Sequence, residues 1–193
     1  MELAPQKHKV SVSEWHKMGE YNIFPPEARM ELIKGDIIDM APIGPSHAGC
    51  VINLIEMFAS QKGKTALINV QNPILLGNLS EPEPDLVLLR PVSHFYREKH
   101  PTAKDVFLLI EVSDTTVKHD REEKMPLYAA DGIVESWLID LNEFQVEVYL
   151  NPTANGYANK RILDSDEILI PKQLPHIKIP VSDILMPHSF SEK

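Results

Sequence analysis

Two acidic residues and one lysine lie where apolar segments of the chain begin or end. Asp85 follows Pro84 and opens the apolar run 86–89, Glu111 follows the apolar run 106–110, and Lys124 comes later on a predicted helix. Carboxylates at the ends of buried strands cost desolvation free energy unless a cation pairs with them. A divalent metal ion would meet that need, with Lys124 as a further positive charge. This combination is typical of a metal-dependent phosphodiesterase site.

Each of these residues also has a simpler structural interpretation. Asp85 alone could be a solvated carboxylate at a strand end. Glu111 could be a partly exposed glutamate on the polar face of an edge strand. Lys124 could be one charge in the solvated run 119–124. The metal hypothesis therefore depends on the three residues acting together.

Four further polar residues are candidates for the same site. Glu31, on an early hairpin, could supply an outer metal contact or pair with a basic side chain at the sheet surface. His47 lies at a predicted helix start, where backbone donors favour anions, and could contact phosphate or a water molecule. Ser113 lies on the same strand face as Glu111, because side chains alternate along a strand. Gln71, at the end of its strand, is a weaker candidate for substrate binding.

The pattern of apolar residues and turns predicts the elements that would position these side chains. A capping box, Ser11 to Glu14, predicts a first helix over 13–18. A second helix is expected over 47–61 with Ser46 as its cap, and a third over 119–131, where Pro126 must kink it or delay its regular part. The predicted strands are 30–34 and 37–40 as a hairpin, then 65–70, 74–76, 86–89, 106–112, 136–140, 146–150, 161–163 and 168–170. A proline-punctuated crossing follows over 171–180, and the tail after Met186 is expected to fray.

These elements alternate along the chain and predict an α/β or α+β fold with a mixed β-sheet flanked by helices. The 193 residues fit a single domain with a core over about 12–185. Strands 136–140 and 146–150 carry apolar residues in surplus, on both faces of the first strand. Surplus apolar surface of this kind predicts a two-fold homodimer.

Composition narrows the functional classes. The net charge of −9 disfavours tight nonspecific binding to nucleic acid but does not exclude a nuclease. The single cysteine, Cys50, cannot form an internal disulfide, which predicts a cytoplasmic protein. No apolar run approaches the roughly 20 residues that a membrane-spanning helix needs. The sequence contains no phosphate-binding glycine loop, dinucleotide fingerprint, Cys-x-x-Cys pair or Gly-x-Ser-x-Gly elbow.

The order of these motifs resembles the Uma-type restriction endonuclease family, which has the PD-(D/E)XK nuclease fold. The resemblance runs from about Val12 to Leu185, and its most specific part is Lys124 with the segment that follows it. It is carried by 30–35 (Met-Glu-Leu-Ile-Lys-Gly), 45–47 (Pro-Ser-His), 83–85 (Glu-Pro-Asp), 110–113 (Ile-Glu-Val-Ser), Lys124 and 128–140 (Tyr-Ala-Ala-Asp-Gly-Ile-Val-Glu-Ser-Trp-Leu-Ile-Asp).

The resemblance implies a restriction-endonuclease-like sheet, a divalent metal such as Mg²⁺, and a phosphodiester substrate, DNA being the expected nucleic acid. Asp85 and Glu111 match the family's motif acids, and Glu31 matches the early acid of such folds. Ser113 stands where the motif usually has lysine, and Lys124 matches the displaced lysine of this family. The metal ligands would then be Asp85, Glu111 and, as a third, the Val112 carbonyl.

Three functional hypotheses follow. The preferred one is a metal-dependent nuclease whose Asp85 and Glu111 carboxylates lie within about 6 Å of each other, close enough to share a metal, with the Lys124 ammonium pointing into their cleft. The second is a binding or assembly protein that retains the nuclease fold without turnover, favoured by the net charge and by Ser113. The third is a metal enzyme that acts on a smaller substrate.

Overall fold

A computed structural model describes residues 6–25 and 27–185 of the chain. The predicted fraying of the tail lies outside the described residues. The elements follow in chain order: α1 (Val12–Glu20), β1 (Met30–Ile33), β2 (Asp36–Asp39), α2 (Pro45–Lys62), β3 (Leu67–Val70), β4 (Leu86–Leu89), a 3₁₀ turn (Ala103–Asp105), β5 (Val106–Ser113), α3 (Val117–His119), a π-helical segment (Asp120–Lys124), α4 (Met125–Ala130), β6 (Glu135–Asp140), β7 (Gln145–Thr153), β8 (Gly156–Leu163), β9 (Ile168–Leu169), β10 (Ile179–Pro180) and α5 (Val181–Leu185).

The central sheet is mixed, as the alternation of elements predicts. Its strand order is β3-β4-β5-β6-β7-β8. Neighbouring strands are antiparallel except for β5 and β6, which run parallel. The connection between these two strands contains α3, the π-helical segment and α4, because parallel neighbours need a crossover.

The core lies on both faces of this sheet. On one face, Val51, Leu54 and Phe58 of α2 pack with Trp137 of β6. On the other face, residues of α4 pack with Leu138 of β6 and with apolar side chains of β4 and β5. Every residue of β6 is therefore buried within the chain. The apolar residues on both faces of this strand serve the core, so the sequence argument that they form a surplus interface was wrong.

The first hairpin has a sequence-determined turn. Lys34 and Gly35 connect β1 and β2 with φ angles of +50° and +78°. Two positive φ angles match the tight turn that suits the twist of a hairpin. A Cβ atom at Gly35 would approach the Lys9 Cβ to 2.7 Å, so glycine is needed here. The turn brings β1, and with it Glu31, against the sheet.

Several predicted elements are confirmed, and α1 is the clearest. Ser11 caps this helix, and its capping box with Glu14 is complete. Burial raises the pKa of the Cys50 thiol to about 12, which keeps it protonated and suits a packing role.

Two details differ from the sequence predictions. Helix α2 begins at Pro45 with Gly44 as its cap, so Ser46 is not the capping residue. Leu75 and Leu76 form only isolated bridges, so residues 74–76 are not a strand.

The predicted helix 119–131 is divided at the proline. Its regular α-helical part starts at Met125, which confirms the second of the two alternatives that Pro126 left open.

Candidate active site

The start of β4 and the end of β5 meet at one edge of the central sheet, where a pocket opens. Leu86 pairs with Ile110, which places Asp85 across from Glu111. Both carboxylates lie among the residues that line the pocket, together with Glu31, His47, Gln71 and Lys124. The structure thus brings six of the sequence-predicted site residues to one place.

The carboxylates of Asp85 and Glu111 each accept a backbone hydrogen bond from the segment that carries the other acid. The Asp85 backbone N–H donates to Glu111 Oε2 at 3.3 Å. The Val112 backbone N–H donates to Asp85 Oδ2 at 2.9 Å. Both residues are buried, 9% and 2% exposed. The pairing of the strands and the orientation of the two acids are therefore parts of the same arrangement.

Asp85 is further bound by a histidine and an amide. His47 Nε2 lies 3.0 Å from Asp85 Oδ1, and Gln71 Nε2 donates to the same oxygen at 3.2 Å. Burial alone would raise the pKa of Asp85, but these bonds and the Val112 N–H outweigh it and hold the pKa below its usual value. The hydrogen bond to Asp85 in turn raises the pKa of His47. The pair is therefore an ionised carboxylate beside a readily protonated imidazole.

Glu111 shares its cation with Glu31. Lys124 Nζ lies 3.2 Å from Glu111 Oε1 and 3.0 Å from Glu31 Oε2. The same Glu31 oxygen accepts the Glu83 backbone N–H at 3.3 Å. The Lys124 ammonium thus bridges the two glutamates. Its ion pairs are with Glu111 and Glu31 rather than with Asp85.

Burial alone would raise the pKa of both motif acids, and their different hydrogen-bond partners separate the two values. Desolvation raises the pKa of Glu111 to about 8, although Lys124 opposes the shift. Burial would lower the pKa of Lys124, but Glu111, Glu31 and Asp120 together raise it. Two neighbouring carboxyl groups with pKa values pushed apart are common in sites that perform acid–base chemistry.

Ser113 lies on the Glu111 face of β5, as alternation predicts, but it binds another carboxylate. Its hydroxyl donates to Asp120 Oδ2 at 2.6 Å, and the Thr116 hydroxyl donates to the same oxygen at 2.6 Å. Ser113 therefore does not provide the positive charge that a lysine would have at this position.

Three residues of the site were missed at the sequence level. The Tyr128 hydroxyl donates a hydrogen bond to Glu111 Oε1. Asp120 and His119 line the pocket from the crossover. The spacing of four between Lys124 and Tyr128 was a usable signal, because residues four apart share a helix face. The same spacing of four relates Asp120 to Thr116, whose hydroxyl donates to it, and to Lys124, but the charged run 119–124 masks this signal because it resembles a solvated face.

The pocket has a marked excess of negative charge. Its lining in the described part of the chain includes seven carboxylates against the two permanent cations Arg29 and Lys124; the acids are Glu31, Asp39, Glu83, Asp85, Glu111, Asp114 and Asp120. A pocket of this kind favours cations over an unaccompanied polyanion.

The donors at the site are suited to a hard divalent cation. Across residues 6–25 and 27–185, no group of three or more His, Cys, Asp or Glu side chains is arranged to hold a metal ion. Asp85 and Glu111 nevertheless present carboxylate oxygens at one place. Mg²⁺ commonly binds through one or two carboxylates and keeps several waters, so two carboxylates are a fitting set.

In the same described ranges, no helix is both long enough and apolar enough to cross a membrane.

Comparison with known proteins identifies a family and a fold. The sequence profile of the Uma2 family, described as "Putative restriction endonuclease", matches residues 14–182. No curated protein sequence matches the chain.

A solved structure has the same fold. It is the crystal structure of "a putative nuclease belonging to DUF820" from Anabaena variabilis ATCC 29413, with a TM-score of 0.69 and 18% sequence identity. The similarity covers 87% of this chain and 96% of that chain. The restriction-endonuclease-like fold expected from the motifs is thereby confirmed. Because the family profile matches most of its length, the chain belongs to the Uma2 family.

Proposed function

We propose that this protein is a metal-dependent nuclease that hydrolyses phosphodiester bonds of DNA. The observation that carries the proposal is the meeting of Asp85 and Glu111 at one sheet edge, with Lys124 on Glu111. The descriptions of the Uma2 family as restriction endonucleases and of the Anabaena variabilis structure as a nuclease support this proposal.

The two motif acids would hold the metal. Asp85 and Glu111 would bind Mg²⁺ through carboxylate oxygens, and the Val112 carbonyl would be a third ligand. Magnesium in such a site lowers the pKa of bound water and polarises the phosphate.

The other residues would act through charge and hydrogen bonding. Lys124, held between Glu111 and Glu31, would stabilise the negative charge that develops on the phosphate. Glu31 and His47 would orient water near the reacting phosphate. Gln71 would hold Asp85 in place from its present contact, and Ser113 would do the same for Asp120.

A plasmid cleavage assay tests the proposal. The purified chain should convert supercoiled DNA to nicked or linear forms with Mg²⁺ or Mn²⁺, and EDTA should stop the reaction. Asp85→Asn, purified in the same way, should be inactive and so exclude a contaminating nuclease. Cleavage that persists in EDTA or in Asp85→Asn would contradict the proposal.

A non-catalytic binding or assembly role is the second candidate. Its specific support is the excess of carboxylates around the pocket and the absence of lysine at position 113. DNA retention in a gel-shift assay without cleavage under any divalent metal would favour it. Hydrolysis of a small phosphodiester such as bis(p-nitrophenyl) phosphate, without DNA cleavage, would favour a smaller substrate.

We also propose a homodimer in the cytoplasm as the working form. Since β6 is buried within the chain, the interface would need other apolar residues, such as Ile162, Ile168 and Ile170, which are 51%, 55% and 48% exposed. A dimer would place two sites against the two strands of a duplex. Light scattering that shows only the 21.8 kDa chain would contradict this assembly.

A further inference from the structure

A buried tyrosine binds the motif glutamate from the crossover between β5 and β6. Tyr128 lies in α4 and is 0% exposed. Its hydroxyl donates to Glu111 Oε1. A buried phenol needs a hydrogen-bond partner. This one is bound to Glu111, the motif acid that is proposed above as a metal ligand.

The two carboxylate oxygens of Glu111 have different hydrogen-bond donors. Oε1 accepts both the Tyr128 hydroxyl and the Lys124 ammonium. Oε2 accepts the Asp85 backbone N–H at 3.3 Å, on the side of the other motif acid. The carboxylate is therefore held by its far oxygen, and the oxygen nearer Asp85 has fewer donors among the described residues.

We propose that Tyr128 is a positioning residue of the metal site, which holds Glu111 by Oε1 so that Oε2 is the oxygen presented to a divalent cation. The inference rests on the proposed function, since it assumes that Glu111 binds a metal. Hydrogen bonds to a ligating carboxylate orient it and tune its affinity for the metal.

A phenol suits this role better than a second cation would. Another ammonium beside Glu111 would repel the incoming metal, whereas a neutral hydroxyl fixes the carboxylate without adding charge. Burial and the neighbouring acids raise the pKa of Tyr128 well above its usual value, so the hydroxyl stays protonated as a donor. Lys124 thus supplies positive charge beside Glu111, and Tyr128 fixes the orientation of its carboxylate.

Tyr157 provides a matched control elsewhere in the fold. It is a largely buried tyrosine whose hydroxyl bonds the Ser136 hydroxyl at 2.7 Å and the Ile133 carbonyl at 2.9 Å. Replacing either tyrosine by phenylalanine removes one hydroxyl and leaves the ring. A purely structural role for Tyr128 predicts similar behaviour of Tyr128→Phe and Tyr157→Phe.

The experiment is a calorimetric titration of the metal-free chain with Mn²⁺ at one neutral pH, with melting temperatures measured on the same samples. Tyr128→Phe should bind Mn²⁺ about 10- to 100-fold more weakly than wild type, the usual effect of losing a partner of a metal ligand. Tyr157→Phe should bind as wild type does. Equal Mn²⁺ affinity in Tyr128→Phe and wild type would overturn the inference.

Two further outcomes are separable. If the wild-type chain binds no Mn²⁺, both the proposed function and this inference are wrong. If wild type binds Mn²⁺ and Tyr128→Phe binds it with the same affinity, only this inference is wrong. Should Tyr128→Phe fail to fold, 3-fluorotyrosine placed at position 128 of the wild-type chain reports the same contact. Its fluorine resonance should shift on addition of Mg²⁺, while fluorine at position 157 should not. No shift at position 128 would overturn the role.

Discussion

Two acidic clusters lie on either side of the π-helical segment, and each takes a cation from it. The inner cluster consists of Glu31, Glu111 and Asp120 around Lys124. The outer cluster consists of Asp140 and Glu147 around Arg121 and Lys160. All five carboxylate residues are at most 5% exposed. Burial of acids therefore does not by itself distinguish one cluster from the other.

The balance of charge does distinguish them. In the outer cluster, Arg121 lies 2.9 Å from Glu147 and 3.2 Å from Asp140, and Lys160 lies 2.8 Å from Glu147. Two carboxylates thus meet two cations, and the Tyr149 hydroxyl also donates to Glu147. In the inner cluster, Glu31 and Glu111 share Lys124, and Asp120, held by the Ser113 and Thr116 hydroxyls, adds a third negative charge beside an acidic pocket. The inner cluster lacks positive charge, and a divalent cation would supply it.

The pKa values reflect this difference. Burial favours the neutral form of both Glu111 and Glu147. For Glu147, the donors Lys160, Tyr149 and Arg121 outweigh burial, and its pKa is lowered. For Glu111, burial prevails and raises the pKa to about 8. A buried acid whose cations are too few is therefore a better indicator of a site than a buried acid alone.

Removing the central cation of each cluster should give the largest contrast. Lys124 is 5% exposed, so Lys124→Met leaves buried carboxylates without their cation and should cost about 3–5 kcal/mol of stability. Arg121 has a 36% exposed side chain, and Glu147 keeps Lys160 and Tyr149, so Arg121→Met should cost about 1 kcal/mol or less. Urea unfolding of the two variants measures both values. Equal losses of stability would mean that the carboxylates of both clusters depend equally on their central cation.

Neutralising one glutamate in each cluster should separate activity from structure. Glu111→Gln removes a proposed metal ligand and should lower DNA cleavage by at least about 100-fold, as expected for several kcal/mol of metal-based stabilisation of the transition state. Glu147→Gln should change the cleavage rate less than about 3-fold, because Glu147 and its partners do not line the pocket that holds Asp85 and Glu111. Initial rates of plasmid nicking at saturating Mg²⁺ provide the test. A large loss in Glu147→Gln would move the site toward the outer cluster.

The same glutamates should give opposite dependences of stability on pH. The folded pKa of Glu111 lies above its ordinary value, so its contribution is full below about pH 4.5 and is lost as the pH rises toward about 8. The folded pKa of Glu147 is lowered, so its contribution is present at neutral pH and is lost as the pH falls through that pKa. In metal-free buffer, Glu111→Gln should therefore flatten the decline between about pH 5 and 8 by about 1 kcal/mol or more.

Glu147→Gln should leave that alkaline decline intact and lose stability at neutral pH. Thermal unfolding across the pH range, with EDTA present, distinguishes the two variants. A decline of wild-type slope in Glu111→Gln would show that another group titrates in this window.

The smallest effect is expected at the histidine of the pocket. His47→Gln removes the ring beside Asp85, but Gln71 and the Val112 N–H remain on that carboxylate. The loss should be about 0.5–1 kcal/mol, and it should be confined to lower pH. The reason is that a histidine with a raised pKa stabilises the fold below its unfolded pKa and loses that effect as the pH rises through the folded value.

His176→Gln serves as the control for this prediction, because His176 is exposed and bonds the Thr65 hydroxyl at 3.1 Å. Its unfolding should resemble that of wild type at every pH. A pH-independent loss in His47→Gln would show that the ring packs rather than pairs.

The fold was largely predictable because its signals are local. Apolar runs such as 86–89 and 106–110 have few alternatives to buried strands, and a glycine marks the turn of the first hairpin. The turn itself lies at Lys34-Gly35, one residue earlier than the strand bounds 30–34 and 37–40 predict. Position 74–76 looked similar to these runs but pairs only through isolated bridges. One bridge joins Leu75 to Thr102 in a distant loop and the other joins Leu76 to Ser80 nearby, and neither continues as a ladder that an apolar pattern would indicate.

The site was predictable only in part, for the same reason. Asp85 and Glu111 were found because a charge at the end of an apolar run is unusual. Asp120 lies in the charged run 119–124, which resembles a solvated helix face, and only the tertiary structure turns it inward. Tyr128 was not singled out as a site residue, and its ring is buried in the core. The function of its hydroxyl depends on Glu111, seventeen residues earlier in the chain.

The two hydrogen bonds that join Asp85 to β5, one to the Glu111 side chain and one from the Val112 backbone, have a consequence for how the chain opens. The amide protons of Asp85 and Val112 are bound by the two motif carboxylates, inside the sheet core. Amides of this kind exchange with solvent only through large openings of the structure. A sliding of β4 along β5 by one residue would turn Asp85 to the opposite sheet face. The proposed catalytic acids and the strand register should thus be gained and lost together, so that a partly unfolded chain retains no partly formed site.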